Sequence, residues 1–213
     1  MNNEVILHEA FNNDTLYNTL KWRCEPKRWS IDTAASQLVM YTDQETDYWQ
    51  RTHYGFQNDN GHFLYTETAK NFRMTTRVHA EPQTKYDQAG LMIRFSEDVW
   101  LKTSMEYIPG GRSKLGAVVT NGGYSDWSTQ FVNTEECLEL FYRISRIGQN
   151  VYVDFSSDGS TWNQIRIAHL EIPDEESIMA GVYACSPQGE NQAVRFDYLT
   201  IEELSGDPEE VYL

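Results

Sequence analysis

The sequence predicts an all-β fold: an antiparallel two-sheet sandwich of the jelly-roll kind. Three observations carry this. Short runs in which apolar and polar residues alternate recur along the chain at roughly 8 to 12 residue spacing, the rhythm of a sandwich. Turn chemistry separates them, with Asn58-Asp59-Asn60-Gly61 and Ser157-Asp158-Gly159-Ser160 supplying residues that tolerate positive φ. No segment sustains a helical stripe, and Pro173 to Ser177 spells at most one short turn.

Taken in order, Val5 to Leu7 and Trp22 to Pro26 are short segments in a polar opening, and Trp29 to Asp32 and Leu38 to Thr42 are short strands bounded by polar residues. Asp47 to Phe56 follows as an aromatic cluster containing Arg51 and His53, and it enters the turn at Asn58 to Gly61. Phe72, Met74, Thr76 and Val78 share one face of a half-buried strand that Pro82 ends. In Ala89 to Phe95 neither face is wholly polar, so that strand is expected at the centre of a sheet. Leu138 to Ile147, Val151 to Phe155, Ile178 to Ala184 and Val194 to Ile201 complete the pattern, with Asp158-Gly159 as a hairpin signal. Ser125 to Ser128 reads as a hairpin or loop.

At 213 residues the chain has room for one large core, so a single domain is expected over 1–205, followed by a loosely docked acidic tail over 206–213. Its 40% apolar and 13% aromatic content belongs to a packed protein. The 17 basic against 32 acidic residues give a formal net charge of −15, with no basic stripe. That balance argues against nucleic acid and against anionic membrane as partners. Cys24, Cys137 and Cys185 lie far apart, without zinc spacing or disulfide density, and are expected to be reduced thiols. The first nine residues carry no basic region and no run reaches about 18 apolar residues, so a soluble, cytoplasmic protein is expected. No metal-ligand spacing or phosphate-cradling loop is present, and no metal or cofactor is expected; Asn58 to Gly61 reads as a turn rather than a calcium loop.

Several phrases together carry a family likeness: Asp47-Tyr48-Trp49 with His53-Tyr54-Gly55-Phe56, Asp87 to Met92, Trp100-Leu101-Lys102 with Glu106, Val118 to Asn121, Ser125 to Ser128 and Phe196-Asp197-Tyr198. In these the chain resembles the family that contains the yeast regulation-of-enolase protein, within the concanavalin A-like lectin and glucanase superfamily. The resemblance spans roughly Asp47 to Ile201. It implies a jelly-roll sandwich with one concave face, and it brings no activity with it.

The chemistry is sought on the strand from Trp100 to Ile108. Alternation puts Leu101, Thr103, Met105 and Tyr107 on a core face and Trp100, Lys102, Ser104 and Glu106 on the other. Lys102 and Glu106 either form a surface ion pair, worth under about 1 kcal/mol, or hydrogen-bond a polar ligand while Trp100 and Trp127 offer flat apolar faces to sugar rings. Asp126, His53 and Arg94 are further candidates for the same groove.

Three functions compete. The leading one is a module that binds a carbohydrate or other small polar ligand on its concave face. The second is a protein-interaction domain acting on a metabolic enzyme. The third is a glycoside hydrolase or lyase in which Glu106 is the catalytic candidate, with Asp126 as its only evident partner. Hydrolysis needs two carboxylates about 5 Å apart for retention or roughly 6.5 to 9.5 Å apart for inversion, and the Glu-x-Asp-x-Glu phrase of the superfamily's glucanases does not occur here.

Overall fold

The computed structural model describes residues 4–173 and 175–212. Met1 to Asn3, Asp174 of the expected helical turn and Leu213 of the tail lie outside the described residues. The first strands are β1 (Val5–Glu9), β2 (Lys21–Arg23), β3 (Arg28–Asp32), β4 (Gln37–Tyr41), β5 (Tyr48–Gln50) and β6 (Gln57–Asp59). There follow β7 (His62–Thr68), β8 (Phe72–Glu81), β9 (Gln88–Ser96), β10 (Val99–Glu106), β11 (Arg112–Asn121) and β12 (Tyr124–Asn133). The last are β13 (Glu139–Ile147), β14 (Asn150–Ser156), β15 (Asn163–His169), β16 (Ile178–Cys185), β17 (Ala193–Phe196) and β18 (Leu199–Glu203).

These strands build the expected antiparallel sandwich. One sheet runs β12-β11-β10-β9-β16-β7-β2; the other runs β15-β14-β13-β8-β17-β4-β3, with β18 also on β8 and β1 on β18. Alternation decides what lies between them. Leu91, Ile93, Leu101, Met105 and Val119 face inward from the first sheet, and Phe72, Met74, Val78, Ile144 and Val153 from the second, in one continuous core. The buried Tyr142 reaches across this core, where its hydroxyl accepts the Met105 backbone N–H at 2.8 Å. As expected, β9 is central, between β10 and β16.

Local signals misplace three features. Gln57–Asp59 is strand, paired with β5 to form a separate two-stranded ribbon. The chain reverses earlier, at 51–55, where Arg51, His53 and Gly55 hold φ of 54°, 64° and 76°. Ser125 to Ser128 lies within β12, because the reversal falls on Gly122 and Gly123 at φ 54° and 76°. Val194 to Ile201 is broken into two strands at Asp197, whose carboxylate accepts from Gln37 at 2.7 Å and contacts His79 at 2.9 Å. The tail also docks: Pro208–Tyr212 forms a 3-10 turn that buries Val211 and sets Tyr212 against Tyr152, ring centroids 6.2 Å apart.

Candidate functional site

Register turns the outer face of the seven-stranded sheet into rows of neighbours. Glu106 sits between Gln88 and Lys114, Ser104 between Gly90 and Gly116, Lys102 between Met92 and Val118, and Trp100 between Arg94 and Thr120. Trp127 pairs with Val118 and so extends the Lys102 row. Around Ser104 the backbones approach too closely for side chains: a Cβ on Gly90 would stand 2.0 Å from the Thr103 carbonyl oxygen, and one on Gly116 would stand 2.1 Å from that of Ser128. This row of small residues leaves depth beneath whatever covers the sheet.

The ribbon of β5 and β6 is the cover. It buries a second, smaller apolar cluster that includes Tyr48, Trp49, Phe63, Met92, Trp100 and Tyr183. Trp100 therefore corrects the expectation of an open aromatic platform: it is fully buried, its ring 6.1 Å from that of Tyr48, and its indole N–H donates to the Glu97 carbonyl at 3.0 Å. Arg94 is corrected in the same way. Its guanidinium is buried and donates to Asp59 Oδ2 at 2.7 Å, and Arg23 donates to the same oxygen at 2.5 Å. Both residues hold the ribbon down. Asp59, from the stretch read as a turn, is the anion that pairs these two cations, and among the described residues no group of His, Cys, Asp and Glu is arranged to hold a metal.

Lys102, Glu106 and Trp127 do converge. They line a cavity of about 390 Å³ at the side of the ribbon, together with Asp47, Trp49, Tyr54, Tyr86 and Lys114. That volume falls within the usual range of small-molecule pockets, about 300–1,000 Å³. The buried Lys102 ammonium pairs with Asp47 Oδ1 at 3.3 Å and lies 5.8 Å from the rings of both Trp100 and Tyr183. Asp47 is fixed in turn, since its Oδ1 accepts the Tyr48 N–H at 2.7 Å and its own N–H donates to Asn60 at 2.9 Å. Lys114 stands over the Trp127 ring at 4.4 Å, a cation–π contact.

Glu106 is the unusual member. Burial pushes its carboxyl up to about 7, against the opposing pull of Lys102 and with further upward pressure from Asp47. Its Oε1 is buried and has no hydrogen-bond partner among the described residues.

The other candidates lie across an aromatic wall. A groove of about 830 Å³ at the edge of the sandwich is lined by His53, Tyr124, Asp126, Arg166, Ile167 and His169, and it shares Trp49, Tyr54 and Trp127 with the ribbon cavity. Asp126 pairs in register with Val119, a residue of the inter-sheet core, and so points to the face opposite Glu106. Its carboxylate accepts from Arg166 at 2.9 Å. Asp126 is therefore not the carboxylate partner of Glu106; Asp47 is the acid that shares its cavity. His53 is exposed, its ring 4.7 Å from that of Tyr54. Sequence reasoning missed Asp47, Lys114 and Tyr86 as lining residues. The one available signal was an acid directly before the Tyr48-Trp49 pair.

A family model described as "Protein of unknown function (DUF1349)" matches residues 22–204. The chain belongs to the DUF1349 family. Regulation of enolase protein 1 of Saccharomyces cerevisiae is 36% identical to it over 175 residues, 82% of this chain and 85% of the yeast protein. A crystal structure described as a functionally unknown protein from Saccharomyces cerevisiae has a TM-score of 0.80 and 33% identity, covering 88% of this DUF1349 chain and 98% of that one. The GH43 BlXynB protein of Bacillus licheniformis has a TM-score of 0.70 at 19% identity, covering 92% of this chain but only 39% of that enzyme. This last likeness is one of fold. No helix among the described residues of the DUF1349 chain is long and apolar enough to cross a membrane.

Proposed function

We propose that the ribbon cavity binds a carbohydrate or another small polar ligand. The observation that carries this reading is the buried, unpartnered Oε1 of Glu106 in a cavity walled by Trp49, Tyr54 and Trp127. A buried acceptor left unpaired costs about 1–3 kcal/mol, and a ligand hydroxyl donating to it removes that cost. The aromatic wall supplies apolar surface for the carbon-bound hydrogens of a sugar ring, while Lys102 and Lys114 supply donors. Thermal-shift and calorimetric screens of sugars and sugar phosphates test the reading. Binding that is weakened by Glu106→Gln and Trp127→Ala supports it. It fails if no compound binds and Trp127→Ala changes only stability.

A hydrolytic role is the second reading, favoured by one feature: burial pushes the Glu106 carboxyl up to about 7 beside a second carboxylate, Asp47. A proton-donating acid opposite an ionised carboxylate is the pattern of glycoside hydrolysis. Against it, Asp47 Oδ1 is already occupied by Lys102 and by the Tyr48 N–H. Release of nitrophenol from an aryl-glycoside panel, lost in Glu106→Gln, would move the reading from binding to catalysis. Contact with a metabolic enzyme, the role that the yeast relative's name suggests, would instead give a pull-down partner lost in Tyr54→Ala and no small-molecule shift.

A further inference from the structure

The ribbon cavity and the edge groove share an aromatic wall. Trp49, Tyr54 and Trp127 line both. Their rings form an unbroken series: Phe56 stacks on Tyr54 at 5.7 Å, Tyr54 meets Trp49 at 5.4 Å, and Trp49 meets Trp127 edge-on at 6.5 Å. Phe56 stands in the ribbon cavity, and on the groove side His53 continues the series 4.7 Å from Tyr54. The crest is open to solvent at Tyr54 and Phe56, 56% and 43% exposed, and Tyr124 stands apart in the groove. Trp49 belongs to the ribbon's buried cluster, but the fold leaves faces of Tyr54 and Phe56 uncovered, and a ligand with repeated apolar faces gains contact from them.

Two of the acids along this path are already matched: Lys102 holds Asp47 and Arg166 holds Asp126 at 2.9 Å, while Lys114 stands over the Trp127 ring. Beyond the path, the formal charge of −15 repels a polyanion. The groove, at about 830 Å³, is also roomier than the 390 Å³ ribbon cavity that would seat one end of a ligand.

We infer that the two cavities are successive subsites for one linear, uncharged oligosaccharide, which crosses the Tyr54–Trp127 wall between them. This rests on the reading that the ribbon cavity binds a sugar, and the test separates the two. Calorimetry compares xylose with xylotriose and xylohexaose, glucose with cellotriose and cellohexaose, and a hexamer of galacturonic acid.

One neutral hexamer is expected to bind at least about 10-fold tighter than its monosaccharide, a difference of about 1.4 kcal/mol. Tyr124→Ala, whose side chain lines only the groove, should cut hexamer affinity about 5-fold without changing the melting temperature or monosaccharide binding, while Trp127→Ala weakens both ligands. Equal affinity for one ring and six, indifference of the hexamer to Tyr124→Ala, or tighter binding of the acidic hexamer overturns the inference and leaves a one-sugar cavity standing. Absence of binding by every sugar overturns both readings.

Discussion

At the scale of single residues, Glu106 makes the sharpest prediction. Burial raises its carboxyl from 4.5 to about 7, so the folded protein holds a proton that the unfolded chain releases earlier. Stability is then unaffected below about pH 4.5 and falls as pH rises from about 4.5 to about 7, by roughly 1.4 kcal/mol for each pH unit of difference. Glu106→Gln should abolish that slope and leave the variant the more stable protein at pH 8. Urea denaturation at pH 5 and pH 8 reads both, and a flat wild-type profile contradicts the assignment. A ligand hydroxyl prefers the ionised acceptor, so affinity should climb through about pH 7 in the wild type and stay level in the variant. The two tryptophans should differ as well. Trp100→Ala removes a fully buried ring and should cost about 3–5 kcal/mol, whereas Trp127→Ala, partly exposed, should cost under about 2 kcal/mol and act on binding. The sequence puts Trp100 on the face of Lys102, because alternation within one strand is local, whereas Trp127 joins that face only through the register of β12 on β11. It does not show which ring is covered, because the cover is Tyr48, brought over Trp100 only by folding.

At the scale of elements, the ribbon decides what the site is. β5 and β6 pair only with each other, and Asp59 pins them through Arg23 and Arg94. Asp59→Ala strands two guanidiniums in a poorly hydrated place and should cost about 3–5 kcal/mol. Loosened packing over Trp100 should then appear as greater quenching of tryptophan fluorescence by acrylamide. Unchanged quenching and stability would show the ribbon to be held by its aromatics alone. Within the sheet, Gly90→Ala places a methyl against the Thr103 carbonyl at 2.0 Å and should cost at least about 2 kcal/mol by the same urea assay. β8 and β10 were legible as long alternating runs and β9 as a run apolar on both faces, and their inner faces are those that the pattern implies. β6 was not, since Asn58 and Asp59 are turn formers by local preference. The pairing with β5 and the demand of Arg94 for an anion outweigh that preference.

At the scale of the molecule, the sandwich is made by partners distant in sequence. β4 pairs with β17, β2 and β16 both flank β7, and β18 lies on β8. Such topology implies folding on a millisecond to second scale rather than in microseconds, which stopped-flow refolding from urea would measure. The solved Saccharomyces cerevisiae structure supports this architecture over 88% of the chain, and the GH43 likeness supports it without supplying a reaction.

The pairing of β1 with β18 sets Val5 opposite Glu202. The first and last strands thus lie side by side, and the 3-10 turn that follows β18 folds back onto Tyr152. A gene that joined β18 to β1 through a linker and began instead at the Gly148-Gln149 turn should encode a circular permutant that keeps every strand pair of both sheets, and the ribbon cavity with them.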